Sequence, residues 1–316
     1  MASAYWIGVD LGGTKILAGL FDDQFRLLTR IKHPTGAEQG PDAVVQRIVQ
    51  AVEQVITDAK INRSHVKGLG IGVPGQIDPK DRIIRYAPNL GWRDYPFLTK
   101  LPSNWDWPIV LENDVRMGTY GEFAHGAAKG SQHVLGIFVG TGVGGGLILN
   151  GELFTGFNGH AGEIGHTIVH WRKGTGLEQI AGRKALMKRA SEQLADAPKR
   201  VRKEWKGVEP ENVKSSQLAE FYNNDDPIAV VLIDDAARAL GASIGSMINL
   251  LSPEVIVVGG GVAGALGESF LERIWEIAQR YTLPGAANGV RCVPAALGDD
   301  SGITGSAAYA KVMAGK

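Results

Sequence analysis

Hydrophobic positions along this chain fall into two kinds of run. One kind is short and continuous. "YWIGVD" (5–10), "ILAGLFD" (16–22), "GLGIGVPG" (68–75), "PIVLEND" (108–114) and "EVIVVGGG" (254–261) are apolar segments of strand length that end in glycines or polar residues. They read as buried strands. The other kind recurs every three or four residues. Val45, Ile48, Val49, Val52, Val55 and Ile56 form one such stripe, which predicts a helix over 41–59 opened by Pro41 and Asp42. Further helices are expected from about Leu177 to Leu194, from 227 to 251, over "ESFLERIWEIAQRY", and over the small-residue segment "SGITGSAAYAKVM" (301–313). Asp226 stands at the cap of the second of these and Pro227 in its first turn. A proline- and tryptophan-rich connector occupies 88–107, and a charged excursion occupies 195–216. Strands alternating with helices predict an α/β fold.

One arrangement occurs twice. "YWIGVDLGGTKILAGLFDD" (5–23) is strand, glycine turn, strand, turn, and "VLGIFVGTGVGGGLILNGE" (134–152) repeats that order. The identity between them is weak, but the architecture matches, which suggests a duplicated domain. A hairpin at the head of each half makes the expected central sheets mixed rather than purely parallel.

Composition narrows the function classes. Lys+Arg and Asp+Glu both number 33, so the net charge is zero, and no nucleic-acid or anionic-membrane partner is expected. The basic run "KRVRKEWK" (199–206) reads as a solvated helical face. Hydrophobic content of 44% is that of an ordinary globular chain long enough for two domains. "MASAYWIGVD" lacks a basic n-region and a long apolar core, so no secretory leader is expected. The most apolar stretch, 244–266, is interrupted by Asn249, Pro253, Glu254 and glycines and fails as a membrane span. The single cysteine, Cys292, permits no internal disulfide, which fits a cytoplasmic location. Glycine is the outlier at 43 residues, and the clusters close the apolar runs, as loops built for close approach to a ligand would.

Those loops carry the candidate chemistry. "DLGGTK" (10–15) is neither a Walker A loop nor a dinucleotide fingerprint, because a strand follows it and not a helix. A hairpin tip with Gly12 and Gly13 can still present backbone N–H groups to an anion, with the Thr14 hydroxyl and Lys15 ammonium beside them. Asp10, ending the incoming strand, can hold Mg²⁺ through its water shell. An ordinary hairpin is the alternative for this segment taken alone. Gly140, Thr141 and Gly142 repeat the device, and two such hairpins can clamp a polyphosphate. Gly259, Gly260 and Gly261 offer a side-chain-free surface of the kind a purine or ribose needs.

Taken together, D-x-G-G-T-K, E-N-D, G-T-G-x-G-G-G, G-x-x-x-E-I-G-H and G-G-G, in this order over about 5–310, resemble the ROK family of sugar kinases and repressors. The resemblance implies two duplicated ribonuclease-H-like domains of the actin/hexokinase type with an interdomain cleft. The N-terminal domain is expected over 1–115 plus 301–316 and the C-terminal one over 116–300. It implies ATP and Mg²⁺ as cofactors, a homodimer or homotetramer, and transfer to a hexose 6-hydroxyl with Asp114 as the base. Gly75, Asn89, Asn113, Glu163, His166 and Glu178 would hold the sugar, and Trp92 is expected in the core or a loop rather than stacked on it. Glucose is the expected substrate. An N-acetylated amino sugar, a polyphosphate donor, or a non-catalytic sugar sensor remain open. Family repressors carry an N-terminal helix-turn-helix, which is not expected here.

One feature departs from the family. Many ROK kinases hold zinc in a cysteine-rich loop after the EIGH histidine. Here the interval is "TIVHWRKGTGL", without cysteine. His160, His166 and His170 do not replace it, because "HTIVH" alternates like a strand. Its two histidines would stand about 13 Å apart, too far for ligands at about 2.1 Å from one ion. No structural zinc is expected.

Overall fold

The computed structural model describes residues 4–315, so the first three residues of the leader reading lie outside it. The first sheet grows from a meander. Strands β1 (Tyr5–Leu11), β2 (Lys15–Asp22) and β3 (Leu27–Pro34) pair antiparallel, and helix α1 (Pro41–Asp58) buries its stripe of Val45, Ile48, Val52 and Val55 on them. Strand β4 (Val66–Val73) then joins β1 in parallel. The connector that follows is a small three-stranded sheet of β5 (Gln76–Ile77), β6 (Ile84–Ala87) and β7 (Trp92–Tyr95), closed over buried Trp92 and Phe97. Strand β8 (Ile109–Asn113) joins β4 in parallel and runs directly into helix α2 (Asp114–His125).

The second sheet repeats the first. It uses β9 (Val134–Val139), β10 (Val143–Leu149) and β11 (Glu152–Leu153), followed by the hairpin β12 (Ile168–His170) and β13 (Thr175–Gly176) outside it. Helices α3 (Glu178–Ala181), α4 (Arg183–Asp196), α5 (Lys199–Glu204), α6 (Ser215–Asn223) and α7 (Pro227–Leu251) come next. Strand β14 (Val255–Gly259), helices α8 (Gly261–Leu266) and α9 (Glu268–Arg280), strand β15 (Arg291–Pro294) and helix α10 (Ser301–Ala314) complete the chain. The sheet orders are β3-β2-β1-β4-β8 and β11-β10-β9-β14-β15. In each, a hairpin meander is extended by two parallel strands, which is the duplication expected from the two glycine hairpins.

Two compact units result. One comprises residues up to Gly130, Gly146–Gly162 and everything from Asp299, and the other comprises Ser131–Gly145 and Glu163–Gly298. The first therefore continues past 115, through α2. The reason is a close helix pair. A Cβ on Gly305 of α10 would lie 1.7 Å from the Met117 carbonyl oxygen, and one on Gly121 of α2 would lie 2.2 Å from that of Ser301. Buried Glu122 completes the seam by accepting the Ser301 hydroxyl and the Ala127 N–H, both at 2.9 Å. Replacing Gly305 by Ala forces backbone against backbone and is expected to destabilise the chain by about 1–3 kcal/mol, read as a lowered Tm. The same helix floors the first sheet, where a Cβ on Gly8 would lie 1.8 Å from the Ile303 carbonyl and one on Gly70 would lie 1.9 Å from that of Ser306.

The helix expected over 177–194 is broken. Gly182 adopts an extended conformation between α3 and α4, and the freed N–H groups of Arg183 and Lys184 donate to the Gly140 and Thr141 carbonyls at 3.0 Å. The break therefore serves a tertiary partner. Asp226 caps α7 as expected, accepting from the Ile228 and Ala229 N–H groups. Among the described residues, no helix is long and apolar enough to cross a membrane.

Candidate active site

The first glycine hairpin is a tight turn with its own support. Gly12 N–H donates to the Lys15 carbonyl at 2.8 Å, and the Thr35 hydroxyl donates to the Gly12 carbonyl at 2.7 Å. Gly13 and Thr14 are left exposed at the tip. Lys15 is not loose. Its ammonium lies 2.5 Å from Asp299 Oδ2 and holds that carboxyl below its usual range.

Asp10 sits at the end of β1, against the first turn of α10. A Cβ on Gly302 would come within 2.7 Å of its carboxyl carbon, so only glycine leaves room for the carboxylate. The Asp10 pKa is pushed up to about 7. Burial is the largest cause; the Asp114 carboxylate adds to it, Lys15 opposes it, and Asp299 adds again. Lys15 thus stands among the Asp10, Asp114 and Asp299 carboxylates, with Lys32 and Arg30 also acting on Asp299. Hard oxygen donors in that arrangement suit a magnesium ion that keeps several of its waters and takes its remaining ligands from phosphates. Among the described residues, no three His, Cys, Asp or Glu side chains converge to enclose a metal by themselves.

Asn113 and Asp114 occupy the joint between β8 and α2. Asn113 caps the helix: its Oδ1 accepts the Val115 and Arg116 N–H groups at 3.0 and 3.1 Å, and its Nδ2 donates to the Gly75 carbonyl at 3.2 Å. One amide hydrogen of Nδ2 is left for another acceptor, such as a sugar oxygen. Gly75 has a φ of +106°, and a Cβ there would lie 2.2 Å from the Tyr86 carbonyl, so this turn requires glycine. Asp114, at the first position of α2, accepts the Val115 N–H at 2.9 Å. Asn89 lies exposed on a 3-10 turn, with its Cβ 3.7 Å from where a Gly13 Cβ would stand. The first unit therefore gathers Asp10, Lys15, Gly13, Asn89, Gly75, Asn113 and Asp114 at the carboxyl ends of β1, β4 and β8, where ligands bind in α/β sheets.

The second unit carries the other predicted residues. Glu163 precedes the 3-10 turn Ile164–His166, and the His166 N–H donates back to the Glu163 carbonyl at 3.1 Å. The His166 side chain is exposed. Where family members can carry a zinc loop, the β12–β13 hairpin stands, tied by the Leu177 N–H to the Thr167 carbonyl and by the Gly176 N–H to Gln179 Oε1. This hairpin braces the histidine turn through backbone and side-chain hydrogen bonds. Glu178 Oε2 accepts the Val143 N–H of the second glycine hairpin at 2.9 Å. The 259–261 glycines are shaped by packing as well. A Cβ on Gly259 would meet Ala295 at 2.8 Å, and one on Gly260, whose φ is +89°, would meet the Val139 backbone at 2.5 Å. Gly261 is the more open of the three, with Ser215 Oγ at 3.3 Å from a Cβ built there. Trp92 is buried in the small sheet beside Tyr95 and Phe97, as expected of a core residue.

A sequence model described as the ROK family matches residues 6–312. The chain belongs to the ROK family. A ROK family glucokinase from Streptomyces griseus, solved in complex with glucose and AMPPNP, is 31% identical and superposes with a TM-score of 0.80 over 98% of this chain and 100% of that one. A ROK hexokinase from Thermus thermophilus is 32% identical, with a TM-score of 0.81 over 98% of each chain. A glucokinase of Halalkalibacterium halodurans is 32% identical over 328 residues, 96% of this chain and 94% of its own. The two-domain actin/hexokinase-like fold is thus that of ROK glucokinases.

Two partners in this ROK site do not belong to any of the motifs that carry the resemblance. Asp299 holds Lys15, and Gly302 makes room for Asp10. The signal for both is the acid pair and small residues of "GDDSGITG" at the start of α10. Neighbouring Asp300 takes Arg30 of β3 at 2.6 Å, so both acids pin the first meander.

Proposed function

We propose that this protein transfers the γ-phosphoryl group of ATP to the 6-hydroxyl of a hexose, with glucose as the substrate. The observation that carries the reading is the placement of Asp114 at a helix start, in the same charge cluster as Asp10 and Lys15. Asp114 takes the proton of the 6-hydroxyl as its oxygen attacks phosphorus. The N–H groups and Thr14 hydroxyl of the first hairpin, together with Lys15, meet phosphate oxygens. Gly140, Thr141 and Gly142 form the second phosphate turn, and Gly259, Gly260 and Gly261 line the adenosine side. Mg²⁺, for which Asp10 is the protein-side carboxylate, would neutralise phosphate charge during transfer. Gly75, Asn89, Asn113, Glu163, His166 and Glu178 hold sugar hydroxyls, each of which is costly to bury unmet. A cytoplasmic location follows from dependence on ATP, and a homodimer or homotetramer is the assembly expected in solution.

The test is a coupled kinase assay on the purified chain with MgATP over a panel of hexoses. Turnover of glucose with higher kcat/KM than N-acetylglucosamine or N-acetylmannosamine supports the reading. Preference for an acetamido sugar overturns the choice of glucose, and binding without turnover of any sugar overturns catalysis. Replacing ATP by polyphosphate in the same assay tests the donor, and light scattering reads the assembly.

A further inference from the structure

The second glycine hairpin is gripped by the same segment that carries the proposed sugar contacts. A Cβ on Gly142 would lie 2.1 Å from Glu178 Oε2, whereas one on Gly140 would meet nothing within 4 Å. Gly140 is therefore open to a ligand, while the space beside Gly142 is filled by a carboxylate. That carboxylate oxygen accepts the Val143 N–H. The other side of Val143 is held too. Its carbonyl lies against Gly165 of the EIGH turn, where a Cβ would come within 1.9 Å of it. The start of α4 completes the grip through Arg183 and Lys184 on the carbonyls of Gly140 and Thr141.

We infer that Glu178 is a positioning residue for the nucleotide as well as a sugar contact, its carboxylate fixing the Gly142–Val143 turn so that the two substrates are coupled through one side chain. This rests on the hexokinase reading, in which Glu178 meets the sugar. A carboxylate accepts at two oxygens with about four lone-pair positions, so one can hold the hairpin while the other takes a hydroxyl. Bonds to a charged acceptor are stronger and more directional than neutral ones. A sugar that fixes the carboxylate therefore fixes the hairpin, and the coupling must act equally in both directions.

Gly142→Ala displaces the shared carboxylate without replacing it. Its backbone is not left-handed, and the nearest atoms to the added methyl belong to the flexible Glu178 carboxyl, so the substitution pushes that group aside and leaves its chemistry intact. The measurements are KM for glucose and for MgATP, and the binding of the fluorescent nucleotide TNP-ATP with and without saturating glucose. Wild type is expected to bind TNP-ATP more tightly when glucose is present. Gly142→Ala is expected to raise both KM values by about tenfold and to abolish the glucose effect on TNP-ATP. The isosteric Glu178→Gln should raise both as well, and it carries the test if the alanine variant has a collapsed Tm. A rise in the MgATP KM alone for Gly142→Ala, with glucose KM within twofold of wild type, overturns the proposal. So does a rise in glucose KM alone for Glu178→Gln. Failure of wild type to phosphorylate any hexose overturns the kinase reading separately. In that case, weaker TNP-ATP binding by Glu178→Gln without sugar supports the link to the hairpin, and unchanged binding overturns it.

Discussion

Asp114→Asn is expected to lower kcat by about 10²–10⁴ while leaving the sugar KM within a few-fold, the range for removing one general base. The prediction is clean because asparagine keeps what the side chain does for the fold. Its carbonyl oxygen can still accept the Val115 N–H at the start of α2, and Asn113 still caps the helix from the preceding position. Only the ability to take a proton is lost. A second readout comes from the neighbouring carboxyl. Asp114 is the foremost charge raising the Asp10 pKa, so its neutralisation should bring Asp10 down towards the ordinary carboxylate range. The pH dependence of nucleotide binding should then extend to lower pH. Retention of kcat within tenfold of wild type would remove Asp114 from the role of base.

Asp10→Asn should inactivate the protein and also make it more stable. The loss of kcat/KM for MgATP is expected to be about 10²-fold or more, as when one electrostatic partner of a reacting group is removed. The stability gain follows from linkage. Folding pushes the Asp10 pKa up to about 7 from the ordinary 3.8 of a free aspartate. Below pH 4 both folded and unfolded chains hold the proton, and the group has no net effect. Between about pH 4 and 7 the folded chain binds the proton and the unfolded chain does not, so each step up in pH removes stability. Above pH 7 the full penalty of a buried charge among like charges remains. Asparagine carries no such penalty. Its Tm should therefore exceed that of wild type by about 3 °C or more at pH 8, with the difference shrinking to nothing near pH 4. A Tm at pH 8 equal to or below that of wild type would show that the negative charge is already compensated.

Much of this site could be read from the chain because its pieces are local. Both hairpins, the E-N-D joint, the proline start of α1 and the cap of α7 each lie within a few consecutive residues, where backbone preference and side-chain chemistry act together. Helix α2 was less visible. Residues from Arg116 to Glu122 are all buried, so it shows no single apolar stripe, and its Gly121 serves packing on α10. The break at Gly182 was invisible for a different reason. The donors it frees find their acceptors about forty residues back, and no local pattern records that. The glycines were ambiguous in kind. A Cβ on Gly140 would meet open space and one on Gly142 would meet a carboxylate, and two identical letters cannot tell these apart. Likewise, the Lys15–Asp299 pair joins positions 284 apart.

That last separation bears on how the protein comes into being. Helix α10 floors the first sheet and lends Gly302 to Asp10, yet the Ser306 hydroxyl reaches the Val9 carbonyl across 297 positions of chain. During synthesis, strands β1 and β4 must wait for the last helix to leave the ribosome before the face that receives it is covered. The second unit is nearly continuous in sequence and is complete by Gly298, so it can fold first. The nascent first sheet, meanwhile, exposes the apolar face that α10 covers, and a truncation before Ser301 should yield a chain with one folded unit and one open one.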